Sequence, residues 1–117
     1  ANLSTSGLDI NLEAVASGNG WRVSNTGAGA SSTGSMLADT ITGGTGDDTL
    51  RGAGGNDVIT AGAGSDTVVV DAGTDTVNDL GSGLDVLQVA TGATVNATAT
   101  GTWTSPSTSR NDGNAAF

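Results

Sequence analysis

Six aspartates recur at a nine-residue spacing: Asp39, Asp48, Asp57, Asp66 and Asp75, then Asp85 after one inserted residue. Two positions after each stands an aliphatic side chain: Ile41, Leu50, Ile59, Val68, Val77 and Leu87. A fixed short period means that each unit packs mainly on its neighbours, which restricts the chain to repeat architectures. The blocks run 34–42, 43–51, 52–60, 61–69, 70–78 and 80–88, with Asp79 as the extra residue. The first six positions of a block are glycine-rich and end in Asp. The last three alternate outward, inward, outward, as in Thr40-Ile41-Thr42 and Val58-Ile59-Thr60. Three-residue strands joined by six-residue turns are too short for a hairpin meander. They fit a parallel coil in which two blocks make one 18-residue turn. Stacking of such turns predicts one inward row of Ile41, Ile59 and Val77, facing a second row of Leu50, Val68 and Leu87.

Composition narrows the partners. Twelve acidic residues face three basic ones, Arg22, Arg51 and Arg110, for a net charge of -9. Nucleic acid and anionic membrane both require a cationic footprint and are excluded as expectations; cations are favoured. Eleven of the twelve acids are Asp, which suits tight loops rather than helices. There is no Cys, so a secreted chain of this size needs a stabiliser other than disulfides, and bound metal is the obvious one. No apolar run approaches the roughly 18 residues of a membrane-spanning helix. No basic region followed by an apolar stretch marks a signal peptide, and a start at Ala1 rather than Met reads as a processed chain or a fragment. With twenty glycines and only Trp21, Trp103 and Phe117 as aromatic residues, the core is thin and the backbone entropy cost large.

Three zones follow. Residues 1–33 are an N-terminal β lead-in or cap, with strand patterns at Leu8–Leu12 and Trp21–Val23 separated by the turn dipeptide Asn19-Gly20. This reads either as a hairpin or as irregular first rungs of the repeat, since Val23 lies 18 residues before Ile41. Residues 34–88 are the repeat zone. Residues 89–117 are a Thr/Ala-rich β segment, extended over 93–104, with a break at Ser105-Pro106 and a turn at Asp112-Gly113. No stretch carries a helical apolar stripe.

Block 43–51, Gly43-Gly44-Thr45-Gly46-Asp47-Asp48-Thr49-Leu50-Arg51, resembles the glycine- and aspartate-rich nonapeptide of the repeats-in-toxin (RTX) family, G-G-x-G-x-D-x-U-x with U aliphatic. Block 52–60 lacks the second glycine and block 61–69 the first. Block 70–78 keeps Gly73, Asp75 and Val77. Block 34–42 keeps Gly34, Asp39 and Ile41, with Leu37 in place of the third glycine. Block 80–88 keeps Gly81, Gly83, Asp85 and Leu87. The resemblance implies an all-β fold, a parallel β-roll: a right-handed solenoid with two nonapeptides per turn, calcium in its loops and extended β flanks at both ends.

The chemistry of the loops agrees. Calcium takes six to eight oxygens from carboxylates and carbonyls, at about 2.3–2.6 Å. Glycine lets loop carbonyls turn toward an ion in left-handed conformations. One loop offers one carboxylate; two loops stacked 18 residues apart offer two, with several carbonyls. The expected pairs are Asp48 with Asp66 and Asp57 with Asp75, then Asp39 with Asp57 and, across 19 residues, Asp66 with Asp85. Loop positions expected to contribute backbone are Gly43, Thr45, Gly46, Gly52, Gly54, Gly55, Gly62, Ala63, Gly64, Gly73 and Gly83. The expected load is several ions, two to five by counting pairs of stacked loops. The competing reading is that these aspartates only cap turns. Asp47 and Asn56 are read as loop braces. Asp71 and Asp79 serve either a terminal site or solubility at the edge. Trp21 and Trp103 either close a small-residue core or stack on a glycan. Asn96-Ala97-Thr98 matches a glycosylation acceptor, a short and common pattern.

Without His, Cys or Lys the usual bases and activated nucleophiles are missing, so neither catalysis nor a small-molecule substrate is expected. The family resemblance implies export, unfolded, through a type I secretion channel and folding outside on calcium. Two functions are compatible with that. One is a structural unit of an extracellular or cell-surface bacterial assembly (surface layer, adhesin stalk or filament) whose copies join end to end. The other is the calcium-triggered folding and secretion module of an exoenzyme or toxin.

Overall fold

Each aliphatic residue of the nonapeptide sits in a short strand because its flanking residues, often Thr or Val, favour extended backbone, and the glycine-rich stretches between must turn. In the computed structural model, which describes residues 1–80, 84–99 and 110–111, these strands alternate between two parallel sheets. The first sheet runs β1 (Asn2–Thr5), β3 (Arg22–Asn25), β5 (Thr40–Gly44), β7 (Val58–Gly62), β9 (Thr74–Leu80) and β11 (Thr94–Ala99). The second runs β2 (Ile10–Asn11), β4 (Ser31–Thr33), β6 (Thr49–Arg51), β8 (Thr67–Val70), β10 (Val86–Val89) and β12 (Arg110–Asn111). Consecutive strands fall in opposite sheets, and every strand pairing is parallel. The result is an all-β solenoid of about five turns, with no helix among the described residues.

Register follows the nine-residue beat. Val23 pairs with Ile41, Ile41 with Ile59, and Ile59 with Val77. Ser32 pairs with Leu50, Leu50 with Val68, and Val68 with Leu87. Both expected inward rows therefore exist, and all their aliphatic members are at most 2% exposed. Two further inward positions fill out the core where the motif departs from glycine. Ala61 and Val70 stand at position one of their blocks and are fully buried among the aliphatic side chains. The core thus thickens toward the C-terminal side, where Leu80, Val89, Ala93 and Val95 join it.

The lead-in resolves between its two alternatives. Leu3 pairs with Val23 in parallel, and Ile10 lies in the opposite sheet, so residues 8–23 form rungs of the solenoid and not a hairpin. The physical reason is phase: Trp21 and Ala30 stand 18 residues before Asp39 and Asp48 and take the same place in their coils. The extra residue of the fifth-to-sixth block junction lies where the count places it. Ala97 pairs with Val77 but Ala99 with Leu80, a bulge that leaves one extra residue in β9 between them. Val77 and Leu80 are both buried and Asp79 between them is not, so Leu80 takes the inward place that Ala61 and Val70 hold in their blocks. The offset, 18 at Val77, is 19 at Leu84, whose amide meets Ser65 Oγ. Trp103, the break at 105–106 and the turn at 112–113 lie outside the described residues.

Two positions carry local strain. Ala53 holds φ of 73°, in the left-handed slot where the motif places its second glycine. Ser32 occupies an inward aliphatic position, and its buried hydroxyl has no hydrogen-bond partner. An unmatched buried hydroxyl costs about 1–3 kcal/mol. Ser32→Ala removes it without adding volume, so denaturant unfolding in saturating calcium is expected to show a gain of about 1 kcal/mol.

Candidate metal centre

The alternation of strands puts the turns on two edges. One edge carries the loops ending at Asp48, Asp66 and Asp85; the other carries those ending at Asp39, Asp57 and Asp75. All six carboxylates are buried, at most 3% exposed. Each accepts a backbone N–H from the coil before it through Oδ1. Asp39 donates its amide to Asp57 at 2.8 Å, Asp57 to Asp75 at 2.9 Å, Asp48 to Asp66 at 2.8 Å, and Asp66 to Asp85 at 3.0 Å. The amides of Trp21 and Ala30 begin the two series, at 2.6 Å to Asp39 and 2.8 Å to Asp48. The four pairs expected from spacing are therefore stacked neighbours, joined by a hydrogen bond as well as by proximity.

The second oxygen decides what the loops can hold. Oδ2 of Asp48, Asp57, Asp66 and Asp75 is buried and has no hydrogen-bond partner. Turn-capping uses Oδ1 and leaves these four atoms unexplained. A buried carboxylate oxygen without a donor is costly unless a cation meets it. The surroundings suit a small hard cation. A Cβ added at Gly43 would stand 1.9 Å from the carbonyl oxygen of Ala61 and 2.9 Å from Asp48 Oδ2; one added at Gly52 would stand 2.0 Å from Asp57 Oδ2. At Gly43, carbonyl and carboxylate oxygens thus come together where a side chain would intrude. Among the described residues no three acidic side chains converge, so an ion here must draw most of its ligands from backbone carbonyls.

The other expected loop positions divide by role. Gly55, Gly62, Gly64 and Gly73 take positive φ, and Ala53 shares that conformation. Gly46 and Gly54 lie against the preceding coil at Gly29 and Met36. Thr45 and Ala63 are exposed on the crest of one edge. Gly83 lies outside the described residues. Asp39 differs from its counterparts, because Ser35 donates to both of its oxygens. Asp47 and Asn56 accept the amides of Ser65 and Thr74 and so brace the next coil. Asp71 is hydrogen-bonded to Arg51, which also reaches Glu13 at 3.3 Å. The carboxylate of Asp79 holds the amides of Ala61 and Gly62 at 2.7 and 2.8 Å. Asn25 and Ser35 are buried participants that the aspartate pattern does not flag; carrying the 18-residue phase back from Gly43 would have reached Asn25, and Ser35 lies in the loop of Asp39 itself.

Residues 33–68 and 42–77 match the family model of the RTX calcium-binding nonapeptide repeat (4 copies). The two matches are offset by nine residues, one repeat, as a true period requires. The repeat zone is an RTX β-roll. No curated protein and no solved structure matches the chain. RTX repeats bind calcium and are typical of secreted proteins. In this β-roll the orphaned oxygens of Asp48, Asp57, Asp66 and Asp75, with the carbonyls beside them, are the groups that fit the ion. Bound there, calcium would neutralise buried carboxylates and tie successive coils.

Burial governs the protonation of the metal-free β-roll. Desolvation pushes Asp57 up to about 7, against the amide of Asp39, which favours the charged form; the charges of Asp75 and Asp39 raise it further. Asp66 and Asp75 are pushed up to about 6, again mainly by burial. The unfolded chain titrates near the ordinary value of 3.8. Between these values the folded form holds protons that the unfolded form has released, so metal-free stability is fully present below about pH 4 and is lost as pH rises through 6 to 7. In chelator, β-structure by circular dichroism is therefore expected to increase as pH is lowered from neutral toward 4, and the apparent calcium affinity to weaken over the same range. A metal-free signal that grows with pH contradicts the burial of these groups. Asp57→Asn removes a charge and keeps an acceptor for the Asp39 amide. It is expected to weaken calcium binding by at least about tenfold in calorimetry while raising the melting temperature in chelator. A variant that only disturbed a cap would lower stability in both conditions.

Proposed function

We propose that this chain is a calcium-binding structural module of a secreted bacterial protein. It folds when it meets extracellular calcium and joins with copies of itself, end to end, into a surface layer, an adhesin stalk or a filament. The observation that carries the calcium-coupled part is the set of four buried, donorless carboxylate oxygens in stacked loops. They make the metal-free fold electrostatically costly, so ion binding and folding form one equilibrium. Extracellular calcium modules bind at about 0.1–1 mM, far above cytosolic calcium, which keeps the calcium-binding coils unfolded until they are outside the cell.

The self-assembly part draws support from the open ends. Among the described residues, strands β1 and β2 at one end, and β11 and β12 at the other, each have one partner strand, the arrangement that can accept a further coil. The solenoid is parallel throughout, so the last coil of one copy and the first coil of the next would meet with the strand direction already used inside each copy.

Circular dichroism is expected to show a change from coil to β structure at millimolar calcium and not with magnesium, whose small octahedral shell fits these loops poorly. Electron microscopy at the same calcium concentration is expected to show linear assemblies that dissolve in chelator. Monomers only, with calcium-dependent folding intact, would leave the folding and secretion module as the function.

A further inference from the structure

Every described carboxylate with a donorless buried oxygen belongs to Asp48 or a later residue. Before Asp48 the only such atom is the neutral hydroxyl of Ser32. Two side chains account for the difference, one on each edge. Asn25 is 1% exposed and uses both ends of its amide. Its Nδ2 donates to the carbonyl of Ala28 in its own loop and to Asp48 Oδ1 in the next coil, each at 2.9 Å. Its Oδ1 accepts the amide of Gly7 in the preceding coil at 2.7 Å and that of Gly27 at 3.2 Å. A donor thus lies between a loop carbonyl and the carboxylate of the stacked loop, the two kinds of oxygen that an ion would otherwise join. On the other edge Ser35 is fully buried and sits on Asp39. Its amide meets Oδ2 at 2.6 Å, and its hydroxyl lies 2.8 Å from Oδ2 and 3.0 Å from Oδ1. With the amide of Trp21 on Oδ1, both oxygens of Asp39 are served without a cation.

We infer that Asn25 and Ser35 are built-in replacements for calcium, which end the ion ladder on its N-terminal side and leave the first coils folded without metal. This rests on the calcium reading above. Asp39 then belongs to the metal-free part, and the ions belong to the loops of Asp48, Asp57, Asp66 and Asp75. In a solenoid each coil is stabilised by its neighbour, so a preformed first coil is a template on which calcium-loaded coils stack in sequence order. Folding acquires a direction from two neutral side chains.

Hydrogen exchange of the whole chain, in chelator and in millimolar calcium, tests this. The amides of Gly7, Trp21 and Ser35 are expected to exchange at rates that agree within about threefold in the two buffers, whereas those of Asp48, Asp57 and Asp66 speed up at least about tenfold in chelator. Asn25→Asp keeps the shape but replaces the donor with an acceptor facing Asp48. It is expected to make protection of Gly7 depend on calcium and to add one ion in native mass spectrometry. Ser35→Ala is expected to lower protection of Trp21 in chelator with the ion count unchanged. If the parent chain binds calcium yet all coils lose protection alike in chelator, or if Asn25→Asp leaves protection in chelator unchanged, the inference is overturned and the calcium reading stands. If the parent binds no calcium, both fall.

Discussion

The structure depends on a buried carboxylate that accepts the backbone amide of the coil before it. Repeated from Asp39 to Asp85 on two edges, this bond fixes the stacking offset and orients every coil in the same sense. It also creates the main difficulty of the fold. An aspartate buried to serve one amide must still place a second oxygen, and in four cases no protein donor is there to meet it. The order gained by stacking is inseparable from a demand for positive charge. In a chain with three arginines and no lysine, that charge has to come from solution.

The apolar side of the design is modest and fits the same logic. Each coil contributes about one aliphatic residue per sheet, stacked at the roughly 4.8 Å spacing of parallel strands. One such residue buried contributes on the order of 1.5–3 kcal/mol, little beside the entropy of ordering eighteen mostly small or glycine residues per turn. No single coil is self-sufficient. Stability is shared through contacts between neighbours, which is why ions that join successive loops have leverage over the whole stack.

Much of this was legible in the sequence because phase is a geometric statement. A period of nine with one inward position per block leaves few ways to bury Ile41, Ile59 and Val77 together, and the family match falls on those same repeats. The aspartate pairs were legible for the same reason. What escaped were the substitutions that keep the geometry and change the chemistry. Trp21 and Ala30 take the place of an aspartate by donating only their amides, which any residue but proline can do. Asn25 and Ser35 are common residues in loops rich in them, and only their burial sets them apart. Asp79 was legible as the inserted residue, but not what it does: from the β9 bulge its carboxylate holds the amides of Ala61 and Gly62. Ala61 and Val70 break the glycine pattern for the opposite reason, since they face the core.

The change of offset from 18 to 19 residues between Val77 and Leu80 has a consequence for how such a chain can vary. Side chains in a strand alternate faces, so parity is what a coil must conserve. One residue added within β9 before Val77 would turn it outward and expose its row to water. Added as a bulge after Val77, the same residue leaves Leu80 buried and Leu87 paired with Val68 in the interior. Length can therefore vary where a bulge absorbs it, and cannot where it would turn an inward side chain out. Sequences of this kind can drift in repeat length, by whole turns or by odd residues, while the alternation of inside and outside stays intact.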